Sequence, residues 1–179
     1  MSDSYVLRPA QPRDSDAIAA LHTESWRSAY RGLVPDDFLG AGLDAERQQA
    51  WRDRFAIVPP DRRLVLLAAS GDRLVGFTCV LADGETGFGP LLDNLHVKPD
   101  WRGRGIGARL LDESRAWVGQ IAPGQPMHLW VMEGNTAARA FYRAQGGTEG
   151  ERRVNEMGGV PVTAVRCTWP ALAPRHDTP

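Results

Sequence analysis

The chain has 179 residues, of which 42% are hydrophobic and 24% charged, and its formal net charge at pH 7 is −1. This composition is typical of a soluble globular protein and excludes a chain that is disordered throughout. The 21 basic residues nearly balance the 22 acidic ones, so charge gives no basis for binding nucleic acid or a membrane surface, and we expect neither partner.

The apolar segments are short. The longest uninterrupted one, 64–69, is far below the roughly 20 residues that cross a bilayer. The first residues lack a basic segment followed by an apolar stretch, so we expect no signal peptide and a cytoplasmic location. Cys79 and Cys167 each lie in an apolar strand-like run. This favours two buried reduced thiols over a disulfide or a catalytic thiol, and no Cys/His spacing suggests a metal.

The N-terminal part of the chain is predicted to form one short strand and two helices. Residues 5–7 form the strand, and apolar residues then recur at helical spacing over 14–29, with the helix ending near Gly32. A second helical stretch covers 35–55, with a break at 40–42, and two prolines follow it.

Three strands are predicted next. Residues 64–69 and 74–81 are β-type runs, and the turn-forming sequence 70–73 between them indicates a hairpin. A glycine-rich loop, 83–90, leads to a further strand at 91–97.

The C-terminal part alternates helices and strands. An apolar stripe over 106–118 predicts a helix, 127–132 a strand, and 135–145 a helix that two glycines close. A final hairpin is expected from 148–155 and 160–169.

This order of elements predicts one mixed α/β domain with an antiparallel hairpin at each flank of its sheet. We place the domain at residues 1–170. The proline-rich residues 171–179 are expected to be a disordered tail.

A glycine-rich turn, 102–107, precedes the first helix of the C-terminal part. Its alternating glycines tolerate positive φ and let another molecule approach the main chain closely. The start of the helix adds free N–H groups and a positive dipole end, and Arg102 and Arg104 add charge. The turn therefore predicts a cradle for phosphate oxygens, although a tight turn without a ligand would also use glycine.

The same residues satisfy the dinucleotide-binding pattern through Gly103, Gly105 and Ala108. The context of that pattern does not fit, because 98–102 separate the strand from the glycines and 125–128 lack the expected acidic residue. An NAD(P)-dependent oxidoreductase is thus a weak alternative. A nucleotide-binding Gly-Lys-Ser/Thr turn is excluded, since the single lysine lies elsewhere.

Residues 95–111 resemble the acetyl-CoA motif of the GNAT acetyltransferase superfamily. Its core, Arg/Gln-x-x-Gly-x-Gly/Ala, is met by Arg102, Gly105 and Gly107. About thirty residues downstream, 135–142 resemble the Asn-x-x-Ala-x-x-x-Tyr helix of that family.

A third segment, 26–35, resembles the acceptor-side helix of many small members, and the resemblance extends over 5–169. It implies a GNAT-type α/β fold, with a central mixed, largely antiparallel, twisted sheet of about seven strands flanked by about four helices. Homodimers are compatible with it.

The resemblance implies acetyl-CoA as cosubstrate and transfer of its acetyl group to a primary amine of a small molecule or peptide, by direct attack in a ternary complex. The strand 91–97 would diverge from its neighbour and receive the pantetheine arm, and an N–H of His96 or Val97 would polarise the thioester carbonyl. The implied cofactor-binding residues are Leu95, His96, Val97, Arg102, Gly103, Arg104, Gly105, Ile106, Gly107, Ala108, Asn135, Ala138 and Tyr142.

Asn135, Ala138 and Tyr142 share one helical face by their spacing. The resemblance implies that Asn135 binds pantetheine amides and that the phenol of Tyr142 protonates the departing CoA thiolate. Two simpler interpretations stay open, a helix N-cap for Asn135 and a core aromatic for Tyr142.

An attacking amine must lose a proton. The candidate groups to accept it are Glu24, Asp93, His96 and Glu133, and no sequence feature selects among them. Asn94 and Glu24 are expected beside the acceptor as catalytic residues. The acceptor pocket is expected to include Trp26, Tyr30, Asp93 and the loop 84–90.

A second class of function stays open. A non-catalytic acyl-CoA-binding or regulatory module would keep the phosphate cradle and lack a productive acceptor site. The sequence names neither the amine nor the preferred acyl chain length.

Overall fold

A single seven-stranded sheet forms the centre of the structure, a computed structural model that describes residues 4–85 and 87–172. The strands are β1 (Val6–Pro9), β2 (Arg63–Ser70), β3 (Arg73–Leu81), β4 (Leu91–Val97), β5 (Met127–Met132), β6 (Thr148–Met157) and β7 (Val160–Trp169). The α-helices are α1 (Ser15–Ala29), α2 (Gly42–Ile57), α3 (Ile106–Ile121) and α4 (Thr136–Ala144). Short 3₁₀ segments cover Pro12–Asp14, Asp36–Leu39, Pro60–Arg62 and Pro99–Trp101.

The strand order across the sheet is β1-β2-β3-β4-β5-β7-β6. Neighbouring strands are antiparallel except β4 and β5, which are parallel. The predicted mixed, largely antiparallel sheet with a hairpin at each flank is therefore confirmed. The tail expected to be disordered lies, from residue 173 onward, outside the described residues.

Most predicted elements agree with the structure to within a few residues. The prediction was short at the end of α3, which continues past Gly119 to Ile121. Pro123 follows shortly after, and the residue before a proline disfavours helical geometry, so the proline ends this helix rather than the glycine. The helical stretch from Pro35 is a 3₁₀ turn, Asp36–Leu39, and the predicted break separates it from α2, which begins at Gly42.

The helices cover both faces of the sheet. On one face, α1 and α2 pack through Ile18 and Trp51 against Leu67 and Phe77. On the opposite face, α3 packs against β2 and β3 around Leu110. Apolar burial on both faces fixes the position of each helix start relative to the strand ends.

Two further sequence expectations concern membranes and thiols. Within the described part of the chain, no helix has the length and apolar character needed to cross a bilayer. Cys79 and Cys167 are both free and buried, as predicted. Burial raises the thiol pKa of each to about 11, which keeps both protonated at neutral pH.

Candidate active site

The parallel strands β4 and β5 diverge soon after they meet. Within the described residues, their register consists of one pair, Leu91 opposite His128. The register of β4 against β3 also shifts, with Asn94 opposite Cys79 but Leu92 opposite Val80. The extra residue is a β-bulge, which bends a strand. A gap therefore opens between β4 and β5 along the second half of β4.

The main chain of β4 faces this gap at alternate residues. The N–H of Lys98 donates to the carbonyl of Val75 on the β3 side at 2.9 Å. Because main-chain groups alternate in direction along a strand, the N–H of His96 also faces β3. The N–H groups of Leu95 and Val97 face the gap, where β5 is not paired with β4. They are available to an extended ligand that carries amide groups.

The glycine-rich turn follows at the end of the gap. Gly103 and Gly105 have φ of +74° and +78°, and a Cβ at either would meet no atom within 4 Å. Gly105 is the N-cap of α3 and has no side chain to cap it. The first N–H groups of the helix, including those of Ile106 and Ala108, are therefore open to a ligand.

Gly107 has a different steric role from the two glycines before it. A Cβ at Gly107 would lie 3.2 Å from the ring of Phe141 on α4 and 3.8 Å from a methyl group of Val97. Its N–H belongs to the open helix start, but its missing side chain allows α3 to approach α4 closely.

These elements line one cleft of about 910 Å³ that extends from the start of α3, between β4 and β5, to α1 and α2. Most of the predicted site residues meet there. Those that line it are Trp26, Tyr30, Asp93, Asn94, Leu95, His96, Val97, Arg102, Gly103, Gly105, Ile106, Gly107, Ala108, Asn135, Ala138 and Tyr142.

Three predicted side chains are engaged outside the lining of the cleft. The carboxylate of Glu24 accepts from the ammonium of Lys98 at 2.6 Å, and its side chain is half exposed. The guanidinium of Arg104 stacks on Trp101, 4.6 Å from the ring centroid. Glu133 accepts a hydrogen bond from an arginine of β6.

The loop 84–90 also lies away from the cleft, since its described residues do not line it. Glu85 accepts from the indole of Trp130 at 3.0 Å and pairs with Arg153. Phe88 stacks under the guanidinium of Arg166, 3.8 Å from the ring centroid. These contacts hold the loop against the strands β5 to β7.

Helix α4 presents the predicted face to the cleft. The side-chain oxygen of Asn135 accepts from the N–H of Ala138 at 3.2 Å, so the N-cap interpretation is confirmed. Tyr142 is 9% exposed, and its ring packs edge-on against Phe141 and Trp169. The packing of Tyr142 in the core does not keep it from the cleft, which both Asn135 and Tyr142 line.

Burial raises the pKa of Tyr142 above its ordinary value, and the nearby phenol of Tyr30 and thiol of Cys167 act in the same direction. The phenol is therefore neutral at physiological pH. It retains the proton that an acid catalyst needs.

Two imidazoles, a buried one and a half-buried one, lie at the other end of the cleft. The rings of His22 and His96 are 4.8 Å apart, and Nδ1 of His22 accepts from the indole N–H of Trp51 at 3.1 Å. Burial lowers the pKa of His22 to about 2 and that of His96 to about 4. The neighbouring imidazole of His96 adds to the effect at His22, the charge of Arg102 adds to it at His96, and the charge of Arg47 adds to it at both rings. Both rings are neutral at physiological pH.

Asp93 lines the same cleft, and its negative charge is paired with a cation. It pairs with Arg54 and accepts from the side-chain amide of Asn94 at 2.6 Å. The guanidinium of Arg54 also contacts the sulfur of Cys79 at 3.2 Å and stacks on Trp51.

Sequence reasoning missed several lining residues, notably His22, Arg47, Trp51 and Arg54. Their positions follow from helical spacing. His22 precedes Trp26 by one turn of α1, and the three residues of α2 lie four and seven apart. Helical spacing predicts these four lining residues only when the side of each helix that faces the cleft is already known.

The sequence also matches the model of a known protein family. A model of the Acetyltransferase (GNAT) family matches residues 18–146, well over half of the chain. The chain belongs to the GNAT acetyltransferase family. The predicted resemblance is confirmed, and the protein is an acyltransferase of this family.

Relatives agree with the family assignment. The chain is 24% identical over 170 residues to the protein named Uncharacterized N-acetyltransferase YuaI of Bacillus subtilis, covering 94% of each chain. It is 28% identical over 153 residues to the peptidyl-lysine N-acetyltransferase YjaB of Salmonella typhimurium, covering 85% of this chain and 90% of that one. The PaiA N-acetyltransferase of Thermoplasma acidophilum, solved with coenzyme A, matches with a TM-score of 0.70 at 18% identity, covering 90% of this GNAT chain and 98% of that one.

The glycine turn gives a direct test of cofactor binding in this GNAT protein. Gly105→Glu places a carboxylate beside the open N–H groups and forces a side chain into positive φ. We expect CoA affinity to fall about 10-fold or more, measured by isothermal titration calorimetry.

The matched control is Gly71→Glu in the β2–β3 turn, where φ is +56° and the space around the Cβ is also open. It introduces the same charge and a similar backbone strain outside the cleft. If Gly105→Glu binds CoA as tightly as Gly71→Glu does, the turn is not the phosphate cradle.

Proposed function

We propose that the protein transfers the acetyl group of acetyl-CoA to a primary amine of a small molecule or peptide, by direct attack in a ternary complex, and that residues 1–170 form one catalytic domain. The observation that carries this proposal is a single cleft. It joins the open main chain of β4, the uncapped start of α3 and the phenol of Tyr142. The PaiA complex with coenzyme A supports the choice of cosubstrate.

The residues present fit coenzyme A. The open space around Gly103 and Gly105 leaves room for a pyrophosphate against the N–H groups at the start of α3. Arg102 lines the same part of the cleft, and its Nε donates to the carbonyl of Val97 at 3.2 Å. We assign the pyrophosphate to this turn and the pantetheine amides to the gap-facing groups of Leu95 and Val97.

Acetyl-CoA supplies an acyl group already activated as a thioester. The chain's part is to orient it and to stabilise the oxyanion that forms at its carbonyl. Of the two N–H groups expected for this purpose, that of His96 faces β3, whereas that of Val97 faces the gap. Val97 is nearer the pyrophosphate turn and is assigned to pantetheine, so we assign the oxyanion to the other gap-facing donor, the N–H of Leu95, whose carbonyl remains for pantetheine; such a donor contributes about 3 kcal/mol.

Tyr142 is assigned the proton donor for the departing thiolate. Its phenol is neutral because burial raises its pKa, so the proton is present over the whole physiological range. Phenol and thiol have similar basicity, which suits proton transfer between them as the carbon–sulfur bond breaks.

The attacking amine must lose its proton at the acceptor end of the cleft, near α1 and α2. Asp93 is engaged by Arg54 and Asn94. Glu24 pairs with Lys98 outside the lining. Nδ1 of His22 already accepts from Trp51. Among the side chains of the described lining, this favours the neutral imidazole of His96 as a temporary acceptor that passes the proton to solvent.

An amine panel with a free-CoA readout, followed by mass spectrometry of the product, tests the proposed function. The panel includes a lysine peptide, because a relative is named a peptidyl-lysine N-acetyltransferase. We expect CoA release with at least one amine. CoA binding without release from any amine would favour the non-catalytic acyl-CoA-binding module.

Replacing the phenol tests the acid role. Tyr142→Phe should lower kcat by about 100-fold, the scale of general acid catalysis, and leave CoA affinity unchanged. Stopped-flow kinetics under conditions where chemistry limits turnover would measure it. Tyr5→Phe, outside the described lining of the cleft, is the matched control. A wild-type rate in Tyr142→Phe would contradict the assignment.

The pH dependence tests the role of the imidazoles. Because the pKa of His22 is about 2 and that of His96 about 4, neither ring titrates between about pH 6 and pH 9. In this range kcat/KM should rise with pH only as the amine substrate loses its own proton. His96→Gln should therefore leave the position of the inflection unchanged. An inflection near an ordinary histidine pKa, absent from His96→Gln, would contradict this.

A further inference from the structure

The acceptor end of the cleft is lined by two guanidinium groups, those of Arg47 and Arg54, together with His22, Ser25 and Trp26. Asp93 is the one carboxylate in the described lining, and Arg54 neutralises it. The charge of Arg47 has no such partner in the lining.

Arg47 is held in place by its neighbours. Its side chain is 18% exposed, and its guanidinium stacks on Trp26, 4.6 Å from the ring centroid. Its Nε donates to Glu46 at 3.0 Å and its Nη2 donates to the other oxygen of the same carboxylate, which lies outside the lining and is half exposed to water. Nη1 of Arg47 makes no hydrogen bond to any described residue, so it is the part of the guanidinium that is able to bind a second anion. Its charge lowers the pKa of both His22 and His96, so its field reaches across the acceptor end.

The hydroxyl of Ser25 on α1, about one turn after His22, is buried and has no hydrogen-bond partner among the described residues. Ser25 is 2% exposed and lines the cleft, yet its Oγ makes no hydrogen bond to any described residue. The carbonyl of Leu21, the usual partner of a helical serine, is not used. An unpaired buried hydroxyl carries a desolvation penalty, and its oxygen is itself covered, so a rotation about χ1 toward the cleft would let it donate to a bound group and remove that penalty.

His22 adds a second neutral donor on the same face of α1, three residues before Ser25. Its Nδ1 accepts from Trp51, so the proton of the neutral ring is on Nε2. An imidazole N–H, a hydroxyl and a guanidinium are all hydrogen-bond donors. Together they match a carboxylate, which is an acceptor only.

We propose that the amine acceptor carries a carboxylate, as an amino acid does, and that Arg47, Ser25 and His22 bind it. This inference rests on the proposed acetyltransferase function and names its substrate class. A polyamine does not fit, because its second ammonium group would need a free carboxylate, and the carboxylate of Asp93 is already paired.

The test compares each L-amino acid with its own amide, which keeps the amine and the side chain but removes the negative charge. Free-CoA release gives kcat/KM for both. We expect the best amino acids to exceed their amides about 10-fold or more, since hydrogen bonds to charged groups are the strong ones. In Arg47→Gln this ratio should collapse toward one, and in Ser25→Ala it should fall by a smaller factor.

Arg52→Gln is the matched control, since Arg52 lies on the same helix, is about half exposed and pairs with Asp16. It should keep the wild-type ratio of acid to amide. Calorimetry with CoA on Arg47→Gln, Ser25→Ala and Arg52→Gln shows whether each variant is folded. Because Arg47→Gln and Ser25→Ala test the carboxylate site independently, the test still gives a result if one of them does not fold.

The outcomes separate the two proposals. A ratio near one in the wild-type protein, or preferred transfer to spermidine or a lysine peptide, would overturn the carboxylate site while the acetyltransferase function stands. CoA binding without transfer to any amine would overturn both. A ratio that survives Arg47→Gln unchanged would remove Arg47 from the site.

Discussion

The separation of β4 from β5 is the constraint on which the site depends. These strands form the parallel step in an otherwise antiparallel sheet, and one register pair joins them before the bulge at Asp93 turns β4 away. Main-chain N–H and carbonyl groups are costly to leave unpaired in a protein interior. The open edge of β4 at Leu95 and Val97 is thus a stretch of sheet whose missing partner is supplied by solvent or by an extended ligand.

The parallel direction of the two strands also brings the other parts of the site together. Because β4 and β5 end at the same edge of the sheet, the segments that follow them begin at that edge. One is the glycine turn that opens α3 at Gly105, and the other is the cap of α4 at Asn135. The start of each helix therefore faces the same gap, and about two turns of α4 then place Tyr142 beside it.

Local sequence patterns predicted these parts well because local forces determine them. Neighbouring residues determine the glycines at positive φ, the alternation of residues along a strand and the spacing of Asn135, Ala138 and Tyr142 on α4. The partners of the charges were not predictable in this way. Glu24 was expected beside the acceptor, but it pairs with Lys98, 74 positions away. Arg54 likewise reaches Asp93 across 39 positions. Such pairs depend on how helices pack over the sheet, which no single segment encodes.

The charge distribution along the cleft connects the fold to the chemistry. In the proposed site, Arg102 lies at the phosphate end and Arg47 at the acceptor end beside His22 and His96, while the imidazole of His96 and the phenol of Tyr142 are neutral because burial disfavours their charged forms. A cleft of this kind attracts anionic groups to its two ends and keeps fixed charge away from the middle. Burial between cations also lowers the pKa of an ammonium group placed there. The same arrangement that anchors a negatively charged cosubstrate therefore favours the neutral amine, the form that can attack a thioester.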